Sequence, residues 1–208
     1  MKKVLADSTT DSEYFKNLVS QMRDCGYPQD IDRVQIHIPN AEQRLRGGLQ
    51  YFVNMKSGCN AEWNERNYRP IVDWMTDNKG KGLLMLGGCG LGKSLIGMYI
   101  LPLLIKDVHR KVVNIFNAQE LNKKIDEILN LHIVYIDDIG TEDNLNSYGN
   151  KRMPFAELCD AAEKKGKLLI LTTNLNIEGL QERYGDRVAD RLVATTKAVP
   201  FIGDSLRK

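Results

Sequence analysis

Apolar and polar residues along this chain follow two rhythms, and the change between them falls near residue 60. Before it, helical spacing dominates. Tyr14, Phe15, Leu18, Val19 and Met22 share one helical face and predict a helix over 11–25, which Gly26 and Pro28 stop. Val34, Ile36 and Ile38 alternate with polar residues and predict a short strand ending at Pro39; 41–55 reads as a second helix, weakened by Gly47 and Gly48. Ser57-Gly-Cys-Asn60 has the composition of a linker. A small, mainly helical unit is therefore expected over 1–60, either a partner-docking module or a plain helical extension.

After the linker, short apolar runs alternate with amphipathic stretches. A helix over 68–75 precedes the run Gly82–Leu86, and further strands are expected at 111–117, 132–136 and 168–172. Between them 94–105, 118–130 and 153–164 have helical periodicity, with Pro102 placed to kink or end the first of these. Such alternation predicts an α/β domain over 61–208: a parallel sheet covered by helices on both faces, with its site in the loops at the carboxyl ends of the strands.

The loop after the first strand carries the strongest chemical signal. Gly87-Gly88-Cys89-Gly90-Leu91-Gly92-Lys93-Ser94 is a complete Gly-x-x-x-x-Gly-Lys-Ser phosphate loop, or Walker A motif. Its glycines let backbone N–H groups turn toward a phosphate chain, Lys93 supplies a charge for the outer phosphates, and the Ser94 hydroxyl can ligate Mg2+. The helix that follows adds its positive end to the same anion. The third strand ends in Asp137-Asp138-Ile139-Gly140, a Walker B pattern in which Asp137 is the expected metal-side acid and Asp138 the group that orients or deprotonates the attacking water. The fourth strand runs into Thr172-Thr173-Asn174, and Asn174 is placed to reach a γ-phosphate or the lytic water; alternatively it only starts the next turn. Glu142 has three readings: starting the following loop, binding across a subunit boundary, or assisting the water.

Composition narrows the picture without deciding it. The 208 residues can hold one α/β domain with a small appendage, and a net charge of +2 means that a nucleic-acid partner needs a local basic patch. Lys123 and Lys124 are the candidates, although a charged helix usually presents such residues to solvent. Cys25, Cys59, Cys89 and Cys159 form no zinc pattern and are expected as reduced, buried thiols, with Cys89 a small loop residue. With neither a signal peptide nor a membrane-length apolar run, a cytoplasmic protein without membrane contact is expected.

In combination, Tyr135-Ile-Asp-Asp-Ile-Gly-Thr-Glu142, Leu171-Thr-Thr-Asn174 and Tyr184-Gly-Asp-Arg-Val-Ala-Asp-Arg-Leu192 behind the phosphate loop resemble the AAA+ ATPases of the DnaC/IstB group. That group comprises bacterial replicative helicase loaders and transposition helper ATPases, and the likeness covers about residues 67–208. The resemblance implies ATP and Mg2+ as ligands, slow and partner-stimulated hydrolysis, and ATP-driven homo-oligomerisation. It implies a replicative helicase as partner, or alternatively a transposase, with single- or double-stranded DNA a further candidate. It also implies that Arg191 acts in trans on a neighbouring subunit's nucleotide, with Arg187 as fallback and salt bridges to Asp186 and Asp190 as the plain reading of both. Arg207 in the closing segment corresponds to a second nucleotide sensor. Relatives usually insert a further DNA-contacting helix before the metal-binding strand, where this chain has only 118–130, and no C-terminal helical lid is expected. The polar stretch 144–151 reads as a mobile loop.

Other nucleotide chemistries fit less well. Asp137-Asp-Ile-Gly140 also matches the Asp-x-x-Gly of a GTPase, but Asn122-Lys-Lys-Ile-Asp126 has one residue too many for a guanine motif and precedes the metal acid. A small-molecule kinase needs an acceptor pocket and usually an arginine-rich lid. A non-hydrolysing scaffold is the remaining alternative, suggested by aspartate rather than the commoner glutamate at position 138.

Overall fold

A computed structural model describes residues 7–22, 25, 31–142, 152–203 and 205, with side chains from Ser12 onward. The chain divides into two compact units, Met1–Asp32 and Arg33–Lys208. In the first, helix α1 (Asp7–Gln21) leaves Tyr14 and Phe15 exposed and edge-to-face, while Leu18 and Val19 are half-buried.

The second unit is built on a five-stranded sheet in the order β2-β3-β4-β1-β5, formed by β1 (Gly82–Leu86), β2 (Asn114–Asn117), β3 (Ile133–Ile139), β4 (Leu168–Thr173) and β5 (Thr196–Pro200). Every pairing is parallel. This is a P-loop NTPase sheet, as the alternation of apolar runs and amphipathic stretches predicts. Because side chains alternate across a strand, Leu83 and Met85 enter one core layer and Leu84 and Leu86 the other. The first layer packs under α2 (Ala41–Ser57), α3 (Glu65–Thr76) and α4 (Leu101–His109); the second packs under α5 (Leu121–Ile128), α6 (Pro154–Lys165), α7 (Ile177–Tyr184) and α8 (Asp186–Thr195).

Local chemistry sets several boundaries. Asn64 and Asn176 cap α3 and α7 through the N–H groups of Asn67 and Gly179. Asn117 and Glu120 form a capping box ahead of α5, fixing where the chain leaves β2.

Three expectations change. Residues 34–38 form no strand, although Ile36 and Ile38 are buried; the Ile36 N–H donates to Asn78 Oδ1 (2.9 Å) and the Ile38 N–H to Met75 O (2.8 Å), so these donors go to the end of α3 and its turn. The expected domain boundary near residue 60 differs from the observed division, because Leu45, Leu49 and Phe52 of α2 belong to the same core as the sheet. Strand β5 was not expected.

The helix after the phosphate loop has an unusual start. Residues Leu95–Ile100 form a π-helical segment, and the Leu101 N–H reaches back five residues to Ile96 O. Pro102 falls in the first turn of α4, where its missing N–H costs little, so the helix changes type ahead of the proline and continues. Gly97 lies inside the widened segment, where a Cβ would come within 2.2 Å of Tyr135 Cε2. Helix and strand approach closely only because that position has no side chain. Gly97→Ala should therefore destabilise the protein by about 1–3 kcal/mol, measured by denaturant unfolding.

Candidate nucleotide site

Three strand ends converge on the phosphate loop. The Gly87 N–H donates to Thr173 O at the end of β4 (3.2 Å), and the Phe201 N–H after β5 donates to Leu86 O (2.6 Å). Gly87 has φ 133° and Gly90 has φ 81°, backbone that other residues rarely adopt. A Cβ at Gly87 would also lie 2.3 Å from Phe201 O, so conformation and contact both require glycine. Gly88 and Cys89 are exposed, Leu91 is buried, and Gly92 and Ser94 are half-buried.

Lys93 is buried and its ammonium group is well supported. Nζ donates to Gly87 O (2.5 Å), Gly88 O (2.7 Å) and Asn174 Oδ1 (3.2 Å). Asn174 in turn donates from Nδ2 to Asp138 Oδ1 (2.7 Å). The structure thus brings Lys93, Asn174 and Asp138 into one connected set, contributed by the phosphate loop, the end of β4 and the end of β3.

The two adjacent aspartates occupy different surroundings. Asp137 Oδ1 accepts from the Thr172 hydroxyl (2.7 Å) and from the Tyr135 hydroxyl. Asp138 has φ 61°, and the register of β3 against β4 shifts between Ile136 and Ile139, so the strand departs from regular pairing at the acids. Its N–H donates to Thr172 Oγ1 (2.8 Å). Burial, aided by the charges of Asp137 and Glu142 and opposed by Lys93, raises the Asp138 carboxyl above the usual aspartate range, which makes it a stronger base when ionised. Burial and its bond to Asp137 push the Tyr135 phenol up, keeping it a donor.

The donor set suits Mg2+. A serine hydroxyl and one carboxylate are hard oxygen ligands, and this cation commonly relies on few protein ligands plus substrate phosphates. Among the described residues no cluster of three or more His, Cys, Asp or Glu could hold a metal by itself, so Ser94 and Asp137 are the residues that would share it with a nucleotide.

Glu142 is buried and serves the fold. Its carboxylate accepts from the Gly140 N–H (2.8 Å) and the Tyr184 hydroxyl, tying the end of β3 to α7. Arg191 is also engaged within the chain, though not with the Asp186 and Asp190 of its plain reading: it bonds Asp160 and, at 2.7 Å, Glu163, both on α6. Its side chain is 13% exposed, whereas that of Arg187, one turn earlier, is 75% exposed and 3.9 Å from Asp160. Arg207 and the loop 144–151 lie outside the described residues. Lys123 and Lys124 are exposed, with Lys124 paired to Glu120 (2.7 Å). Only Cys159 is the buried thiol expected of all four cysteines; Cys25, Cys59 and Cys89 are free and exposed. Among the described residues no helix is long and apolar enough to cross a membrane.

Sequence reasoning missed Tyr135, Thr172 and a pocket of about 540 Å3 beside the loop, lined by Trp63, Tyr68, Leu91, Ile202 and Ser205 among others. A polar tip in an otherwise aliphatic strand, two residues before an acid, was the available signal for Tyr135. The pocket brings together segments more than a hundred residues apart, which no local pattern reveals.

The model of the family described as novel STAND NTPase 3 matches residues 64–195, spanning the loop, both acids, Asn174 and Arg191. The chain belongs to the novel STAND NTPase 3 family. Among solved structures, this NTPase is similar to the DnaC helicase loader, with 18% identity, 80% of this chain and 93% of the other covered, and a TM-score of 0.51. It is also similar to DnaI, with 20% identity, 61% and 73% covered, and a TM-score of 0.50. A further likeness is to AMPPCP-bound DnaA from Aquifex aeolicus, with 16% identity, 69% and 49% covered, and a TM-score of 0.50. No curated protein matches. At these identities the structures speak to fold, and the NTPase shares its P-loop NTPase fold with them, in keeping with the DnaC/IstB resemblance of its motifs.

Asp138 yields a test of the site's electrostatics. A raised carboxyl pKa means that the folded protein holds this proton to higher pH than the unfolded chain, so Asp138 makes stability fall as pH rises from its unfolded toward its folded pKa. Asp138→Asn removes the charge and suits the left-handed backbone. In the absence of nucleotide, the variant should melt at a higher temperature than the unsubstituted protein, by a margin that widens as pH rises through this window.

Proposed function

We propose that this NTPase is an ATP-dependent loader of a replicative DNA helicase, which oligomerises on binding ATP with Mg2+ and lets go through slow, partner-stimulated hydrolysis. The connection of Lys93 through Asn174 to Asp138 carries the reading. It links the group that would meet the γ-phosphate, the group that would sense it and the base that would activate water, so loss of the phosphate would be felt in all three strand ends. Asp137 and Ser94 would hold the metal. The pocket at Trp63, Tyr68 and Leu91, whose lining also includes polar and charged residues, would take the base. Arg207 is retained as a proposed second sensor.

ATP would join neighbouring protomers through an arginine of α8. Arg191 is the residue that the family resemblance implies, and to act in trans it would have to leave Asp160 and Glu163. The exposure of Arg187 favours a second assignment of the same role. Within residues 1–60, the first compact unit would hold the partner, with the exposed Tyr14 and Phe15 of α1 offering apolar contact. A homo-oligomer in the cytoplasm, with DNA close to the loaded helicase, completes the proposal. A transposition helper acting with a transposase is the alternative partner assignment.

Lys93→Ala should abolish binding of a fluorescent ATP analogue in titration; unchanged affinity removes the central claim. For the arginines, Arg191→Ala should retain nucleotide binding and lose hydrolysis, and mixing it with Asp138→Asn protein should restore phosphate release at mixed interfaces. If Arg187→Ala instead shows that complementation while Arg191→Ala only lowers the melting temperature, the trans role belongs to Arg187. Incubation with ATP and a hexameric replicative helicase should give a complex on size-exclusion chromatography. Failure to bind the helicase, together with ATP-dependent binding of a transposase, transfers the function to transposition.

A further inference from the structure

Tyr135 is fully buried in the layer between the sheet and the helix that follows the phosphate loop. Its neighbours there are apolar, and a buried hydroxyl without a partner would cost about 1–3 kcal/mol. This hydroxyl has a partner: it donates to Asp137 Oδ1. Positions 135 and 137 are two apart on β3, so their side chains leave the same side of the sheet. The phenol therefore holds Asp137, the carboxylate assigned to the metal.

Two further observations fit this placement. Gly97 makes room for the ring, since a Cβ there would lie 2.2 Å from Tyr135 Cε2 and 3.0 Å from the terminal methyl of Met85. On the other side, the Thr172 hydroxyl donates to the same Asp137 oxygen at 2.7 Å. Two hydroxyls from different strands thus hold Oδ1, and the second carboxylate oxygen receives no hydrogen bond from either.

We infer that Tyr135 is a positioning residue, fixing the Asp137 carboxylate so that Oδ2 is the oxygen presented to Mg2+. The inference rests on the nucleotide-binding reading and adds a determinant of its metal dependence. Outer partners of this kind orient a ligating carboxylate, and their removal commonly weakens metal affinity by about 10–100-fold. Tyr135 acts through Asp137 and takes no direct part in phosphoryl transfer.

The test is Tyr135→Phe, which keeps the ring and removes the hydroxyl. Binding of a fluorescent ATP analogue is titrated in EDTA and then against increasing Mg2+, and Mn2+ bound with the nucleotide is followed by electron paramagnetic resonance. The expected result is unchanged affinity in EDTA, a Mg2+ midpoint raised by about tenfold or more, and a changed Mn2+ spectrum. An unshifted midpoint with an unchanged Mn2+ spectrum, whatever the melting temperature, overturns the inference while leaving nucleotide binding intact. Unsubstituted protein whose affinity ignores Mg2+ overturns the metal assignment and this inference together. If Tyr135→Phe does not fold, Thr172→Val removes the other donor to Oδ1 and should move the midpoint in the same direction; an unmoved midpoint there counts equally against the inference.

Discussion

Strand β4 lies between β1 and β3, and its parallel pairing with both is the constraint on which the rest of the second unit depends. Parallel strands bring their carboxyl ends to the same edge of a sheet, and burial on both faces leaves little freedom to slip in register. The phosphate loop, the paired acids and Asn174 therefore meet although they are far apart in sequence. Each comes from a different strand, so the site assembles only when the sheet does.

Around that edge the chain surrounds charge with short polar links. Lys93 rests on carbonyls of its own loop, Asn174 joins it to Asp138, and two hydroxyls secure Asp137. Such a network is stiff because its donors and acceptors are paired within a partly buried setting. Behind it the Glu142 to Tyr184 contact fastens the turn after β3 to α7, so the acids are braced from two directions. An arriving phosphate would compete for Lys93 with atoms that already hold it, which couples nucleotide occupancy to the loop's own hydrogen bonds.

Much of the fold and most of the central site were legible because the relevant signals are local. Apolar runs marked four strands, and the order of loop, acids and asparagine marked their ends. Strand β5 escaped because Thr196-Lys-Ala-Val-Pro200 lies at the sheet edge, with an alternating and partly polar pattern. The alternation at Val34, Ile36 and Ile38 was a true sign of burial but not of a strand, since Asn78 and the end of α3 take up the backbone donors. The salt-bridge partners of Arg191 were not legible because Asp160 and Glu163 lie on another helix, about thirty residues away. Periodicity records which face is buried; it does not record which distant side chain waits there.

The left-handed backbone at Asp138 bears on why that residue is an aspartate. Short polar side chains tolerate this conformation better than most, because they can bond to nearby groups without a long stem. A glutamate would add a methylene where the strand is already turned out of register and where Asn174 meets the carboxylate at 2.7 Å. The choice between aspartate and glutamate here is thus also a choice of curvature. In this chain the bend at the end of β3 and the reach of the acid it carries are matched to each other, so neither could change length alone.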